Sequence, residues 1–111
     1  MNFGQAIQAA KQGKRVARAG WNGRGMFVIY VPGTKRAVIK PSTPYYEALL
    51  GLIPRRDGDV LEAEILPHFD IWTVNAEGCR AMLPGWLASQ SDMDAEDWRV
   101  VDNIALRKDW A

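Results

Sequence analysis

The sequence predicts an α+β fold, in which one small domain carries an N-terminal helix on a mostly antiparallel, twisted sheet with one or two short extra helices. The 111 residues suffice for a single core. A clear helical period occurs at the N-terminus, and runs of strand-forming residues between turn signals fill most of the remainder. Strand runs interrupted by a few helices are typical of this class.

The first predicted element is a helix from about residue 3 to residue 12. Its apolar side chains recur at the helical positions i, i+3, i+4 and i+7, namely Phe3, Ala6, Ile7 and Ala10. Asn2 is a suitable N-cap, and Gln5 stands at the capping-box position. Gly13 can end the helix in the left-handed conformation.

Two strands and a turn follow the helix. The run "KRVAR" at 14–18 predicts a short strand, and "GWNGRG" at 20–25 predicts a turn. The run "MFVIYV" at 26–31 is apolar on both faces, which predicts a central strand. Pro32 and Gly33 end it.

Residues 34–59 form a variable segment and a possible insertion, because the pattern weakens there. Within it, Thr43 as N-cap and Pro44 at the first helical position predict a short helix in "STPYYEALLGL". The run "RRDGD" at 55–59 is interpreted as a solvated turn, and a phosphate-binding role is the alternative.

The second half predicts more strands. The run "VLEAEIL" at 60–66 alternates, and "FDIWTV" and "CRAML" flank "NAEG", a four-residue hairpin loop. Ser89 or Ser91 can cap a short helix, and a last strand runs from about Trp98 to Val101.

Charge and composition limit the classes of partner. A net charge of +1 gives no long-range field for duplex nucleic acid. No signal peptide and no apolar run of about 18 residues is present, so we expect a cytoplasmic location and no membrane. The single Cys79 lacks neighbours at zinc-ligand spacing, and we expect a small residue within a strand.

Acidic residues cluster in "SDMDAEDW", at positions 92, 94, 96 and 97. A calcium-binding loop beginning at Asp92 would need Gly and Glu where Asp97 and Asn103 stand, so that type of site is excluded. Caps and partners of a helix dipole are favoured over a hydrolytic pair, which stays open as an alternative.

His68 is the single histidine of the sequence, and Asp70 two residues later would lie on the same face of a strand. No nucleophile accompanies the pair, so a structural or ligand-contacting histidine is favoured over a catalytic one. We therefore predict no catalytic residues, no metal and no cofactor.

Five tryptophans are more than a core of this size requires. Several of them stand at turns beside polar residues, and large flat rings at turns are used both for stacking and as buried anchors. The candidate binding groups are Trp21, Trp86 and Tyr30 for stacking, Asn22, Ser89, Gln90, Ser91 and Asp92 for hydrogen bonds, and Arg18 and Arg24 for anions. This set suits a nucleotide-like ligand.

Four motifs resemble, in the same order, those of the second Thoeris anti-defence family of phage and prophage proteins. They are "MNFGQAI", "GKRVARAGWNGRGM", "LPHFDI" and "GWLASQSDMDAEDWRVV". Ile71 and Trp72 depart from the family pattern, and the segment 34–59 is longer than in compact members. These departures leave the choice of ligand open.

The resemblance implies a molecular sponge, which binds a cyclic nucleotide immune signal without cleaving it. The implied ligand is glycocyclic ADP-ribose made by TIR enzymes, with cyclic dinucleotides as a second class. The resemblance also implies self-association to a homo-oligomer, as a dimer of dimers, with ligand pockets at subunit interfaces, in the cytoplasm of the infected bacterium.

The matched motifs imply these ligand-binding residues: Trp21, Asn22, Gly23, Arg24, Met26, Arg18, His68, Phe69, Trp86, Ser89, Gln90 and Asp92. Trp21, with Trp86 as second choice, would stack a base, and the arginines would meet the pyrophosphate. The amides, hydroxyl and carboxylate would bond ribose hydroxyls or base edges. For Asp97 and Trp98, capping and core packing are favoured.

Two alternatives belong to other classes. One is a metal-dependent hydrolase of the same signal that uses the acidic cluster. The other is an inhibitor of a host defence protein, in which the tryptophans would be contact hot spots.

Overall fold

The computed structural model describes residues 1–21, 25–52 and 60–102. The elements in chain order are α1 (Phe3–Lys11), β1 (Val16–Arg18), β2 (Phe27–Val31), β3 (Thr34–Val38), α2 (Pro44–Leu49), β4 (Glu62–Ile65), β5 (His68–Val74), β6 (Arg80–Pro84), α3 (Gln90–Asp94) and β7 (Trp98–Val100). The predicted α+β class, with an N-terminal helix and mostly antiparallel strands, is confirmed.

The chain divides into two compact units, Met1–Val31 with His68–Ala111, and Pro32–Pro67. The first unit holds a five-stranded antiparallel sheet in the order β6-β5-β2-β1-β7, and the second holds the two-stranded sheet β3-β4 with α2. Because β2 lies in the middle of the larger sheet, its predicted central position is confirmed. The assignment of all 111 residues to one domain stays a prediction.

Helix α1 begins with the predicted capping box. The Asn2 side chain accepts from the Gln5 amide at 2.9 Å, and the Gln5 side chain accepts from the Asn2 amide at 2.9 Å. Three alanines, Ala6, Ala9 and Ala10, form the buried face of the helix and pack in one cluster with Val16, Val28 and Trp98. Small side chains on the helix leave room beside the sheet for larger ones, including Trp98.

The opposite face of the larger sheet carries a second cluster. Ala17, Phe27 and Val101 are its buried members, and Trp72 packs against them. The rings of Phe27 and Trp72 are stacked, with centroids 6.1 Å apart and planes 9° apart. Strand β2 therefore contributes apolar side chains to both faces of the sheet, as its sequence predicts.

Strands β5 and β6 form the predicted hairpin, paired from Asp70↔Pro84 to Val74↔Arg80. The Asn75 side chain accepts from the amides of Glu77 and Cys79 and closes the loop. The prediction for Cys79 is wrong: it lies one residue before β6, in the loop, and is exposed. The strand-forming sequence "CRAML" begins at Cys79, but the amide and the carbonyl of Cys79 bond to Asn75 within the turn.

In the second unit, α2 starts at Pro44 with Thr43 as N-cap, as predicted. Strand β3 was not predicted, because "TKRAV" is mostly polar and its five residues are largely exposed. It pairs with β4, and Ile39 and Leu61 are buried beside this sheet. The predicted turn at 55–59 lies outside the described residues. Across the described ranges, no helix has the length and apolar character needed to span a bilayer.

Candidate functional site

Three tryptophans meet in the first unit, on the face of the larger sheet that carries α1. Trp98 is 3% exposed and lies in the core cluster. The ring of Trp21 meets it nearly at right angles with centroids 5.2 Å apart, and Trp86 does so at 6.1 Å. Trp21 and Trp86 also touch each other, at 6.3 Å. Both are partly buried, so they form the solvent side of a cluster whose base is Trp98.

The aromatic cluster continues along β5 and β2. Trp86 contacts Phe69 at 6.4 Å, and Phe69 contacts Tyr30 at 5.2 Å. The amide of Trp86 donates to the carbonyl of Phe69 at 2.6 Å, which ties the segment after β6 to β5. The ammonium of Lys11 lies 5.9 Å from the Tyr30 ring centroid. A row of aromatic rings therefore runs from Trp21 to Tyr30.

The indole of Trp21 is held by a carboxylate. Its Nε1 donates to Oδ1 of Asp92 at 3.1 Å, and the Asp92 side chain is only 11% exposed. Burial by itself would raise the pKa of Asp92, but hydrogen bonds from Ser89, Trp21 and Arg18 outweigh it and hold the pKa below its ordinary value. Asp92 is therefore an ionised group within the protein that orients the Trp21 ring.

Arg18 lies between two carboxylates. Its Nη1 donates to Asp92 at 3.0 Å, and its Nε donates to Asp97 at 3.0 Å. The hydrogen bond from Arg18 is the main reason that the pKa of Asp97 is lowered, and the same bond raises the pKa of Arg18. This pairing favours a structural role for Arg18 over the predicted contact with a pyrophosphate, which stays a prediction.

Helix α3 brings Ser89 and Gln90 beside this network. Ser89 Oγ accepts from the Asp92 amide at 3.1 Å, and Asp92 Oδ2 accepts from the Ser89 amide at 3.0 Å, which completes a capping box. The alternative cap, Ser91, lies within the helix. Gln90 is the first helical residue and is exposed. Ser89 and Asp92 thus hold the helix start.

The predicted turn at 20–25 is described only at its ends. The Gly20 amide donates to Asp97 Oδ2 at 2.8 Å. At the other end, Gly25 has a φ of 64°, and its carbonyl accepts from Arg80 Nη1 at 2.6 Å. Met26 is partly buried. Asn22, Gly23 and Arg24, three of the predicted ligand-binding residues, lie outside the described residues.

His68 lies apart from the aromatic cluster. Alternation along β5 places Phe69 on the face packed against the first core cluster and His68 with Asp70 on the other face. His68 Nε2 and Asp70 Oδ1 are 3.3 Å apart. Asp70, whose side chain is 8% exposed, also accepts from the Gly85 amide at 2.9 Å and so fixes the turn after β6. Sequence reasoning considered Asp70 only as a companion of His68.

The structure therefore brings together five of the predicted site residues through contacts, namely Arg18, Trp21, Trp86, Ser89 and Asp92, with Phe69 at the edge of the cluster. The network that links them was missed, because its bonds join residues more than 70 positions apart. Within the described ranges, no group of three or more His, Cys, Asp or Glu residues is arranged to hold a metal ion.

Comparisons with known proteins place this arrangement in a family. A family model, the Thoeris anti-defense 2-like domain, matches residues 1–101. A curated relative, Thoeris anti-defense 2 of Bacillus phage SP01, is 31% identical over 101 residues, which cover 91% of this chain and 94% of the relative. The residues matched by the family model include every element described above. The chain therefore belongs to the Thoeris anti-defense 2-like family, and a phage anti-defence role follows from that membership.

Proposed function

We propose that this protein is a non-catalytic sponge that binds and sequesters glycocyclic ADP-ribose, the cyclic nucleotide signal of TIR enzymes. The observation that carries the proposal is the placement of Trp21. Its ring is partly buried, its indole N–H is bonded to Asp92, and it stands beside Trp86 at the boundary of the core. A ring fixed in this way offers a stacking surface at little entropic cost.

The other parts of the ligand require polar partners. Arg24 would meet the pyrophosphate, while Asn22 and Gln90 would bond ribose hydroxyls or base edges. The structure favours a supporting role for Arg18 and Asp92, because each already bonds with partners inside the protein. Direct ligand contact would then fall to residues from 21 to 26, together with Trp86 and Gln90.

A sponge must hold its ligand tightly enough to compete with the effector that the signal activates. Nanomolar affinity corresponds to about 12 kcal/mol, which one exposed stack and a few hydrogen bonds do not supply. We therefore propose that protomers associate, as a dimer of dimers, and enclose the ligand between subunits. Cyclic dinucleotides are a second ligand class that such a pocket can take.

Ligand recovery tests sequestration directly. The protein is incubated with glycocyclic ADP-ribose, separated from free ligand, and heated until it denatures. A sponge releases the intact molecule, as mass spectrometry of the supernatant would show. A linear or hydrolysed product would instead establish the alternative enzyme. The ion pairs of Asp92 and Asp97 with Arg18 favour the sponge, since these carboxylates already face a cation.

Substitution of Trp21 tests the site. Trp21→Ala should weaken binding of glycocyclic ADP-ribose by about 1–3 kcal/mol, or roughly 5- to 150-fold, because base stacking is lost. Calorimetry measures the affinity, and thermal unfolding and gel filtration follow the fold and the assembly. Leu87→Ala, at a residue 90% exposed, is the matched control and should bind normally. If Trp21→Ala unfolds, Trp21 is a core anchor.

The inhibitor of a host protein remains a second candidate because of exposed apolar side chains next to Trp86. Leu87 is 90% exposed and Leu83 is 66% exposed. In such an inhibitor Trp86 would be the contact hot spot, because tryptophan is enriched at these positions, and the leucines would surround it. Calorimetry with the small molecule alone separates the two, since an inhibitor of this kind would give no heat of binding.

A further inference from the structure

We infer that Asp97 and Arg80 are positioning residues that fix the two ends of the segment 20–26 for ligand binding. The inference rests on the proposed function, because it concerns the segment that would contact the ligand. Asp97 bonds to the amide of Gly20, and Arg80 bonds to the carbonyl of Gly25. Both anchors come from the C-terminal half of the chain, 77 and 55 residues away.

The anchor at Gly20 is a close one. The amide of Gly20 donates to Oδ2 of Asp97 at 2.8 Å, while Oδ1 of the same carboxylate accepts from Arg18 at 3.0 Å. A Cβ atom at position 20 would lie 2.9 Å from Asp97 Oδ2 and 3.5 Å from Arg18 Nη2. A larger residue at position 20 would therefore require the Asp97 carboxylate to shift away from the backbone.

The anchor at Gly25 uses a cation instead. Arg80 Nη1 donates to the Gly25 carbonyl at 2.6 Å, and the guanidinium carbon lies 5.4 Å from the Phe27 ring centroid. A Cβ atom at position 25 would meet Arg80 and Val74 at 3.3 Å. The φ of 64° at Gly25 is also one that other residues rarely adopt. The conformation of Gly25 therefore allows the Arg80 side chain to reach its carbonyl.

Trp21 is held in addition to the two anchors. Its amide donates to the carbonyl of Arg18 at 3.3 Å, and its indole donates to Asp92. Arg18 joins Asp92 to Asp97, so the anchor at Gly20 and the bond to the ring belong to one network. If Trp21 reached its binding position only part of the time, the apparent affinity would fall by that fraction. The bonds at Gly20 and at the Trp21 indole hold the ring in one position.

Hydrogen exchange in the ligand-free protein tests the anchors without a ligand. Asp97→Ala should speed exchange of the Gly20 amide and the Trp21 indole by about 10-fold or more, because local opening becomes easier. Arg80→Met, which keeps an apolar side chain against Phe27, should speed hydrogen exchange of the Gly25 and Met26 amides. The control is Arg36→Met, at an exposed ion pair of the second unit. Unchanged exchange in both anchor variants would overturn the inference.

Two gentler variants cover the case in which Asp97→Ala does not fold. Asp97→Asn keeps an oxygen that can accept from Gly20 and should show an intermediate increase in exchange. Gly20→Ala removes no charge but pushes the carboxylate away, and should resemble Asp97→Ala at the Trp21 indole. A Gly20→Ala protein with the exchange of the original chain would contradict the close anchor.

Binding kinetics with glycocyclic ADP-ribose separate positioning from contact. A positioning residue sets how often the segment is competent, so Asp97→Ala and Arg80→Met should lower the association rate constant about 3- to 10-fold and leave dissociation nearly unchanged. Trp21→Ala, which removes a contact, should speed dissociation instead. Faster dissociation in the anchor variants, with normal association, would make them contact residues and overturn the inference.

The two experiments also separate this inference from the proposed function. If the unsubstituted protein does not bind glycocyclic ADP-ribose, the proposed function fails, and hydrogen exchange alone decides whether the anchors exist. If it binds and the anchor variants bind at the same rates, the proposed function stands and the positioning role fails.

Discussion

The two units use the same kinds of ion pair in different surroundings. Arg18 lies 3.0 Å from both Asp92 and Asp97, and its side chain is 19% exposed. In the second unit, Lys35 and Glu64 are 3.1 Å apart, but their side chains are 88% and 42% exposed. Distances alone would rank these pairs as equal. Their surroundings differ in how well solvent screens the charges and in how many further hydrogen bonds fix each group.

The first unit also buries more hydrophobic side chains than the second unit. Among the described residues, nine buried hydrophobic side chains lie in the first unit and two, Ile39 and Leu61, lie in the second. An open apolar cavity of about 250 Å³ lies in the second unit, lined by Ile39, Tyr45, Ala48, Leu49, Ala63 and Ile65. A two-stranded sheet with one short helix buries little surface. The first unit is therefore the part suited to hold rings in fixed positions.

The largest expected effect on stability is at Trp98. Trp98→Ala should lower the free energy of unfolding by about 3–5 kcal/mol, because a 3% exposed ring that contacts three other aromatic rings is lost. Leu61→Ala, at a residue equally buried in the second unit, should cost about 2 kcal/mol, since a small core collapses more easily. Urea unfolding measures both. Equal losses would contradict the difference in packing.

A smaller loss is expected when the ionic network is cut. Asp92→Ala should lower the free energy of unfolding by about 1–3 kcal/mol, because Nη1 of Arg18, the Trp21 indole and the Ser89 amide lose the carboxylate to which they donate. Thermal and urea unfolding measure the change. A loss no greater than that of a surface substitution would show that water replaces the carboxylate at no cost.

Acid should reveal the same network. The pKa of Asp92 is lowered in the folded protein, so below the ordinary carboxyl pKa of about 4 the unfolded chain binds more protons. The stabilising contribution is therefore present above pH 4 and is lost as pH falls through the lowered value. Urea unfolding of Asp92→Asn at a series of pH values should show a shallower loss over this window. A slope equal to that of the unsubstituted protein would contradict the assignment.

The smallest effect is expected at the exposed pair of the second unit. Glu64→Gln should change the free energy of unfolding by no more than about 0.5 kcal/mol, because solvent screens Lys35 and Glu64. Urea unfolding in low and high salt measures it. A loss close to that of Asp92→Ala would mean that the second unit is held by its charges, and the contrast between the units would fail.

Much of the fold was predictable because local patterns decide it. The period of α1, its capping box, the Thr43 cap of α2 and the β5–β6 hairpin are short-range features, and each is present, although the hairpin loop extends one residue beyond the predicted 75–78. Strand β3 was missed because its side chains are largely exposed and show no apolar alternation. Its pairing with β4 depends on partners 24 to 31 residues away along the sequence, which a local pattern does not identify.

The candidate site was predictable in residue types but not in roles. Motifs placed Trp21, Trp86 and Asp92 among the functional residues, and the structure brings them together. The same motifs suggested that Arg18 meets an anionic ligand, whereas in the structure it faces two carboxylates. Sequence spacing gives no signal for bonds that span 74 and 79 residues. The roles of Asn22, Gly23 and Arg24 stay predictions.

The contact between Trp21 and Asp92 also has a consequence during protein synthesis. These residues are separated by 71 positions, so a ribosome adding about 5–20 residues per second needs roughly 4–14 s to make the second after the first. A nascent chain that has exposed only its N-terminal half has the tryptophan without the carboxylate that orients it. Messages truncated before codon 92 would therefore yield products unable to assemble the cluster, however well their first helix forms.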